Sequence, residues 1–344
     1  MAHRDIVVVG ASAGGVEALV QLVGQLPRDF PATVLIVLHV ASGYRSVLPE
    51  ILTRSGFLKA VHPEDKTALE PGRIYVAPSD RHLMVERGRM RLVHGPRENN
   101  HRPAVDALFR SAAQVYGPRV VGVVLTGALD CGTAGLMAVK QQGGLAVVQD
   151  PKDAFCPDMP RSAMEFVKVD HCVALAAMGA LLTRLVSTTL ELPVPPDPSP
   201  RLKEEIKAMT GGDNTQSDPQ ALGHPSYFSC PDCGGVLFEM DEAGWLHYRC
   251  RVGHGYTAKS LSVQQQTALD GALWAALRSL EESASLARRM AHNARERNHT
   301  LTAVRYEERA HATEEHARLV RELVLNLPAR LLPEPPADEP PPES

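Results

Sequence analysis

IVVVGASAGGV, residues 6–16, is the stretch on which the reading of this chain turns. The run Ile6 to Val9 is β-branched throughout, as in a strand covered on both faces. Gly10-Ala11-Ser12-Ala13-Gly14-Gly15 then turns the chain directly into an amphipathic stretch that begins near Val16. This places G-x-S-x-G in a strand–turn–helix setting. Such a turn lifts the serine hydroxyl above the sheet edge and aims the next backbone N–H, that of Ala13, at a developing oxyanion. The helix N-terminus adds positive potential at the same point.

Outward from this turn, the β-branched runs Thr33 to Leu38, Ile74 to Val76, Val120 to Leu125 and Leu145 to Val148 alternate with stretches that space apolar residues three and four apart. Those stretches are Val16 to Leu26, Val105 to Tyr116 and Thr133 to Gln142. The alternation predicts an α/β domain over residues 1–190 with a doubly wound, mostly parallel sheet. Met84 to Val93 alternates apolar and charged residues around Arg87-Gly88, which predicts a peripheral antiparallel hairpin added to that sheet.

A Gly-rich turn after a first strand also suits a dinucleotide phosphate, but that reading wants an acidic residue closing the second strand. TVLIVL closes on His39 instead. A serine nucleophile needs such a base, because an unassisted hydroxyl attacks poorly at neutral pH. VVGVVL runs into Thr126-Gly127-Ala128-Leu129-Asp130, which brings an acid to a third strand end, where the ligand sites of such sheets form. Ser12, His39 and Asp130 are therefore the expected nucleophile, base and orienting acid, with Ala13 as oxyanion donor. Their chain order differs from that of the α/β-hydrolases, in which histidine comes last.

The segments VVVGASAGGVEAL, VLIVLHV, IYVAPSDRHL, RPAVDALFRSAA, VVLTGALDCGTAGL and VVQDPKDAFCPDMP resemble successive motifs of the chemotaxis protein-glutamate methylesterase (CheB) catalytic domain over roughly residues 4–190. The resemblance implies hydrolysis of glutamate methyl esters on methyl-accepting chemoreceptors or similar proteins, with deamidation of receptor glutamines in some members. Ser12 and His39 fall on the family's nucleophile and base. Three positions depart from its pattern. Ala13 replaces the usual threonine, and Val40-Ala41 replaces the Met-Pro that usually follows the histidine. In the family's LTGMGxDG pattern the catalytic aspartate precedes the last glycine, where this chain has Cys131, so Asp130 stands one residue early. Members usually carry an N-terminal receiver domain, whereas this chain opens on the catalytic strand, so regulation by other means is expected. A non-catalytic adaptor that keeps the fold is the rival reading, and a dinucleotide oxidoreductase a distant third.

Beyond this domain, residues 191–226 shift to Pro, Ser, Asp, Gly and Lys, which predicts a linker. Residues 227–258 hold Cys230-Pro-Asp-Cys233 and Cys250-Arg-Val-Gly-His254, a C-x2-C-x16-C-x3-H spacing that suits one structural tetrahedral Zn2+. His247 is a weaker alternative ligand. No cofactor is expected for catalysis. Over residues 259–327, Leu273, Leu277, Leu280, Ala284, Ala287 and Ala291 recur at helical spacing, as do Tyr306, Ala310, Thr313, Ala317, Val320 and Val324. They predict a helical hairpin turning near Asn298. Residues 328–344 are a Pro/Glu tail unable to build a core.

The 344 residues are 44% hydrophobic and 22% charged, with a net charge of -4. That balance argues against nucleic acid and anionic membrane as partners. The absence of a secretory leader or a long apolar run predicts a soluble cytoplasmic protein with no direct membrane insertion. The scattered cysteines agree with a reducing compartment.

Overall fold

The computed structural model describes residues 3–39, 46–189, 194, 196–210, 223–242 and 244–326. They fall into two compact units divided after Leu261. In the first, β1 (Ile6–Ala11), α1 (Gly15–Gly24), β2 (Thr33–Leu38), α2 (Leu48–Ser55), β3 (Lys59–Val61) and β4 (Arg73–Val76) lead to a hairpin of β5 (His82–Glu86) and β6 (Arg89–Val93). There follow α3 (Val105–Tyr116), β7 (Val120–Val124), α4 (Thr133–Gln141), β8 (Leu145–Gln149), α5 (Asp158–Phe166), β9 (His171–Val173) and α6 (Leu175–Ser187).

Seven strands form one wholly parallel sheet in the order β3-β4-β2-β1-β7-β8-β9. Its central strands are buried on both faces, as their β-branched sequences require. Val8, Leu35 and Val37 on one face join Leu108 and Phe109 of α3, Leu136 and Val139 of α4, and Met159 of α5. Val7, Val9 and Ile36 on the other join Leu19 and Leu22 of α1, Leu52 of α2, and Met178 and Leu182 of α6. Strand order reverses between β1 and β7, so the crevice at their carboxyl ends is the switch point of a doubly wound sheet.

The hairpin differs from its sequence reading. β5 and β6 pair only with each other rather than extending the large sheet, and they are not peripheral. Leu83, Val85 and Met90 enter the main core, while Met84 and Val93 on the opposite face meet Ala107 and Met209. Both faces are covered, and an alternating pattern suggests an exposed face only when nothing packs on its polar side.

Part of that cover comes from the stretch read as linker. Within it α7 (Pro200–Thr210) buries Leu202, Ala208 and Met209. Its apolar spacing was obscured by the Pro- and Lys-rich composition around it. Residue 190, residues 191–193, 195 and 211–222 of the linker, Val40 and Ala41, residue 327 and the whole tail, 328–344, lie outside the described residues. The antiparallel strands β10 (His224–Ser229), β11 (Val236–Glu242), β12 (Trp245–Cys250) and β13 (Gly255–Thr257) carry the Cys/His pattern. They belong to the first unit, since Trp245 lies in the main core with its ring centroid 6.4 Å from that of Phe166.

A buried ionic cluster joins this small sheet to the large domain. Glu98 lies between Arg110 of α3 and Arg249 of β12, and Arg110 also reaches Glu205 of α7 at 3.4 Å. Burial alone would raise the Glu98 carboxyl, but Arg110 and Arg249 outweigh it and hold the group below its ordinary range.

In the second unit, α8 (Ala258–Glu296), which begins in the first, and α9 (Thr300–Asn326) are joined through Asn298 at φ 59. Leu277, Ala284, Ala287 and Ala291 of α8 and Ala310, Ala317 and Val324 of α9 are buried, together with Ala294 and Ala303. The other expected positions, Leu273, Leu280, Tyr306, Thr313 and Val320, are half-buried. Arg288–Glu314 and Arg295–Glu307 pairs close the flanks at 2.6 and 2.5 Å. No helix among the described residues is long and apolar enough to cross a membrane.

Removing one partner from a buried ion cluster leaves the others without compensation, at a cost of about 3–5 kcal/mol. Arg249→Met should therefore lower the denaturant midpoint of the first unit by a corresponding amount. An unchanged midpoint would show that Glu98 does not need Arg249.

Candidate active site

Hydrogen bonds at the switch point fix the loop after β1 against the loop after β7. The Leu125 amide donates to the Gly10 carbonyl at 2.9 Å, and the Ser12 amide donates to the Thr126 carbonyl at 3.0 Å. The Thr126 hydroxyl donates to the Ala13 carbonyl and accepts from the Cys156 amide, both at 2.8 Å. Its own amide donates to Gln149 Oε1 at 2.9 Å. Gly127 completes the closure. A Cβ there would lie 2.0 Å from Met159 Sδ and 2.9 Å from Ser12 Cβ, so only glycine lets this loop approach the serine. Ala13, in the turn before α1, is exposed, and its amide makes no hydrogen bond among the described residues. It is thereby free for an incoming oxyanion.

Ser12 and His39 follow the register-paired residues Ala11 and Leu38, so adjacent parallel strands deliver them side by side. The His39 amide donates to the Ala11 carbonyl at 3.2 Å. Its imidazole stacks on that of His101, with centroids 3.6 Å apart and planes 10° from parallel. Both ring nitrogens of His39 are buried and lack a partner among the described residues. Burial, and secondarily His101, hold His39 well below the usual histidine range, while burial and Arg97 hold His101 at about 4. Both rings are neutral at physiological pH, and a neutral imidazole is the form that accepts a proton.

Asp130 lies in the loop after β7, just beyond Leu129, whose φ of 62 is costly for a residue with a Cβ. Its carboxylate is bonded to Thr257 rather than to His39, the Thr257 hydroxyl donating to Asp130 Oδ1 at 2.8 Å. Burial raises Asp130 to about 6, opposed by the Thr257 donation and by Lys259. Cys131 is turned toward α3, its Sγ 3.5 Å from Asp106 Oδ2. Burial and Asp106 push that thiol up, so it stays protonated. Asp106 also accepts from the amides of Gly132 and Gly135 at 3.0 and 2.7 Å, which anchors the start of α4. The fold thus brings Ser12, His39 and Asp130 to one end of the sheet, with no hydrogen bond between them.

Four further groups shape the site and were not singled out from sequence: Thr126, His101, Asp106 and Thr257. His101 and Asp106 flank or lie in the RPAVDALF segment, and Thr126 lies in VVLTGALD. Thr257 had no local signal, because it reaches Asp130 across 127 residues of chain.

Cys230, Cys233, Cys250 and His254 come together at the end of the small sheet, every potential ligand atom within 4.8 Å of the others. His247, the weaker alternative, points elsewhere and meets Glu205 at 3.6 Å.

Comparison with known proteins identifies the large domain. Residues 7–182 match the family model described as CheB methylesterase. A relative from Leptospira interrogans is 38% identical over 190 residues, which are 55% of this chain and 98% of its own. Protein-glutamate methylesterase/protein-glutamine glutaminase 1 of Caulobacter vibrioides is 39% identical over 191 residues, covering 54% of this chain and 55% of that one. This chain therefore spans about half the length of that relative. The crystal structure of the Thermotoga maritima CheB methylesterase catalytic domain superposes with a TM-score of 0.51 at 33% identity, over 53% of this chain and 98% of that one.

His101→Ala should open one face of His39 to water and move its pKa back toward the usual histidine value. An NMR titration of the His39 ring checks this. A pKa that stays well depressed would mean that the stacked ring is not what keeps His39 dry.

Proposed function

The chain belongs to the CheB methylesterase family, and from that premise we propose that it is a carboxylic-ester hydrolase that removes methyl groups from glutamate methyl esters of a chemoreceptor-like signalling protein. Ser12 Oγ attacks the ester carbonyl while His39 takes its proton. The Ala13 amide stabilises the oxyanion, and methanol leaves with the proton that His39 returns. Water, deprotonated by His39, then attacks the acyl-serine to release glutamate and restore Ser12. The observation that carries this reading is the neutral His39, its ring nitrogens without a partner among the described residues, delivered beside Ser12 by two register-paired strands. Asp130 serves as the local negative charge that favours the imidazolium formed during attack. The bond-making and bond-breaking in these steps use side chains, a backbone amide and water, with no metal at the reacting atoms.

The same acylation releases ammonia when the side chain is a glutamine amide, and the names of several relatives pair the two activities. The adaptor reading has less support, since the relatives carry the names of enzymes. The chain is proposed to act in the cytoplasm on the methylated segment of its receptor.

Ser12→Ala should abolish methanol release from methylated receptor with little change in stability, because it removes one hydroxyl from a surface turn. Retention of more than a few per cent of wild-type turnover would contradict Ser12 as nucleophile. His39→Gln should be nearly as damaging.

The pH profile separates His39 from Asp130. Burial holds His39 well below the usual histidine range, so an acid limb near 6 reports protonation of Asp130, with activity falling as pH falls through that value. Asp130→Asn should cut turnover and erase that limb. A silent Asp130→Asn, with a gain of turnover in Cys131→Asp, would reassign the acid to position 131.

A further inference from the structure

The two sulfur–nitrogen separations around His254 are 3.6 Å from Cys230 Sγ to Nδ1 and 3.5 Å from Cys250 Sγ to Nδ1, and Cys233 Sγ lies 3.7 Å from Cys250 Sγ. A tetrahedral Zn2+ with sulfur and nitrogen ligands at their usual bond lengths would have edges of about 3.8 Å between sulfurs and about 3.6 Å between sulfur and nitrogen. The separations are those edges, and they select Nδ1 as the ligating atom. Two tight turns create them. The Gly234 amide donates to the Cys230 carbonyl at 2.8 Å, and the Gly253 amide donates to the Cys250 carbonyl at 2.9 Å. Gly234 and Gly253 both hold positive φ, 71 and 106. A protein-filled tetrahedron has no open position for substrate, so the site is structural.

What the site supports begins one residue after its last ligand. Gly255 donates its amide to the Arg97 carbonyl at 3.2 Å and accepts from the Asn99 amide at 2.8 Å. Asn99 Oδ1 in turn accepts from the Thr257 amide at 3.0 Å and from the Ser260 hydroxyl at 2.9 Å. Glu98 and His101 exchange backbone hydrogen bonds at 3.2 and 2.9 Å, so the segment pinned by β13 is the one that carries His101 onto the His39 ring. Two residues beyond Gly255, the Thr257 hydroxyl reaches Asp130. A single three-residue strand therefore touches the surroundings of both the proposed base and the proposed acid, and it is tethered at its start by His254.

We propose that Cys230, Cys233, Cys250 and His254 bind one Zn2+, and that this metal knuckle is part of the hydrolytic site, holding β13 so that Thr257 positions Asp130 and the Arg97–His101 segment positions His39. The positioning role rests on the hydrolase reading of Ser12 and His39; the metal site does not. Thr257 is a positioning residue, acting on substrate only through Asp130. Metal occupancy sets the activity of the chain, because a small sheet of this size needs its ion to hold its fold.

The test uses the full chain, purified under reducing conditions. Elemental analysis should find one Zn2+ per chain, and the Co2+-substituted protein should show thiolate-to-cobalt charge transfer. Metal-free protein with a Cys233–Cys250 disulfide would overturn the site. Thr257→Val should keep its zinc, lose about tenfold in methanol release as expected for a lost hydrogen bond to a charged group, and move the acid limb to higher pH. Thr257→Ser should restore both. A zinc-replete Thr257→Val with wild-type rate and limb would overturn the positioning role.

Cys233→Ser should lose the metal and speed hydrogen exchange at the Asn99 amide, which donates to Gly255. Unchanged protection there would show that β13 does not depend on the ion. If wild-type protein releases no methanol, the hydrolase reading fails instead, and metal content and Asn99 exchange still decide whether the ion holds β13.

Discussion

The hydrogen bond from the Ser12 amide to the Thr126 carbonyl ties together the two loops that flank the reversal in strand order, and the geometry of the site follows from it. A doubly wound sheet leaves its crevice between β1 and β7 because the connections from these strands diverge to opposite sides. Here the crevice is narrowed rather than open. The Thr126 hydroxyl and the bare Cα of Gly127 draw the second loop onto the first, leaving Ala13 exposed with its amide unbonded among the described residues. A serine held this way has little freedom left to lose on reaching an attacking geometry.

Around that lip, burial sets the protonation states. His39 is neutral because it is dry and lies against another histidine. Asp130 is raised by the same dryness, and its ionisation depends on the hydroxyl that Thr257 brings from the small Cys/His sheet and on the ammonium of Lys259 in the first turn of α8. The sheet is fastened by Arg249 on Glu98 and by Trp245 in the main core. Residues far apart in sequence thus share one electrostatic environment, and the catalytic end of the large sheet is completed by chain that follows it by more than 60 residues.

Much of this was legible in the sequence, for identifiable reasons. β1, β2, β7 and β8 are β-branched runs with both faces buried, and α3 starts and stops where its apolar spacing does. The edge strands β3 and β9, three residues each, are too short to leave a pattern. The helix α7 was hidden by composition, and the β5–β6 hairpin was misjudged because its second face is covered by residues that sequence periodicity cannot locate. At the proposed site, the placing of Ser12, Ala13 and His39 at neighbouring strand ends was legible because strand ends and turns are local features. The partner of Asp130 was not, because Thr257 comes from another sheet. Nor did the sequence indicate that Cys131 turns to Asp106, a contact made by α3 packing over α4.

The central claim is that Ser12 is the nucleophile, primed by a neutral His39 at the switch point. The most direct measurement is tandem mass spectrometry of the chain after treatment with a fluorophosphonate, comparing wild type with His39→Gln. The expected result is a single covalent adduct on Ser12, formed quickly in wild type and far more slowly without the imidazole. An adduct on another residue, or labelling of Ser12 at the same rate in both proteins, would contradict it.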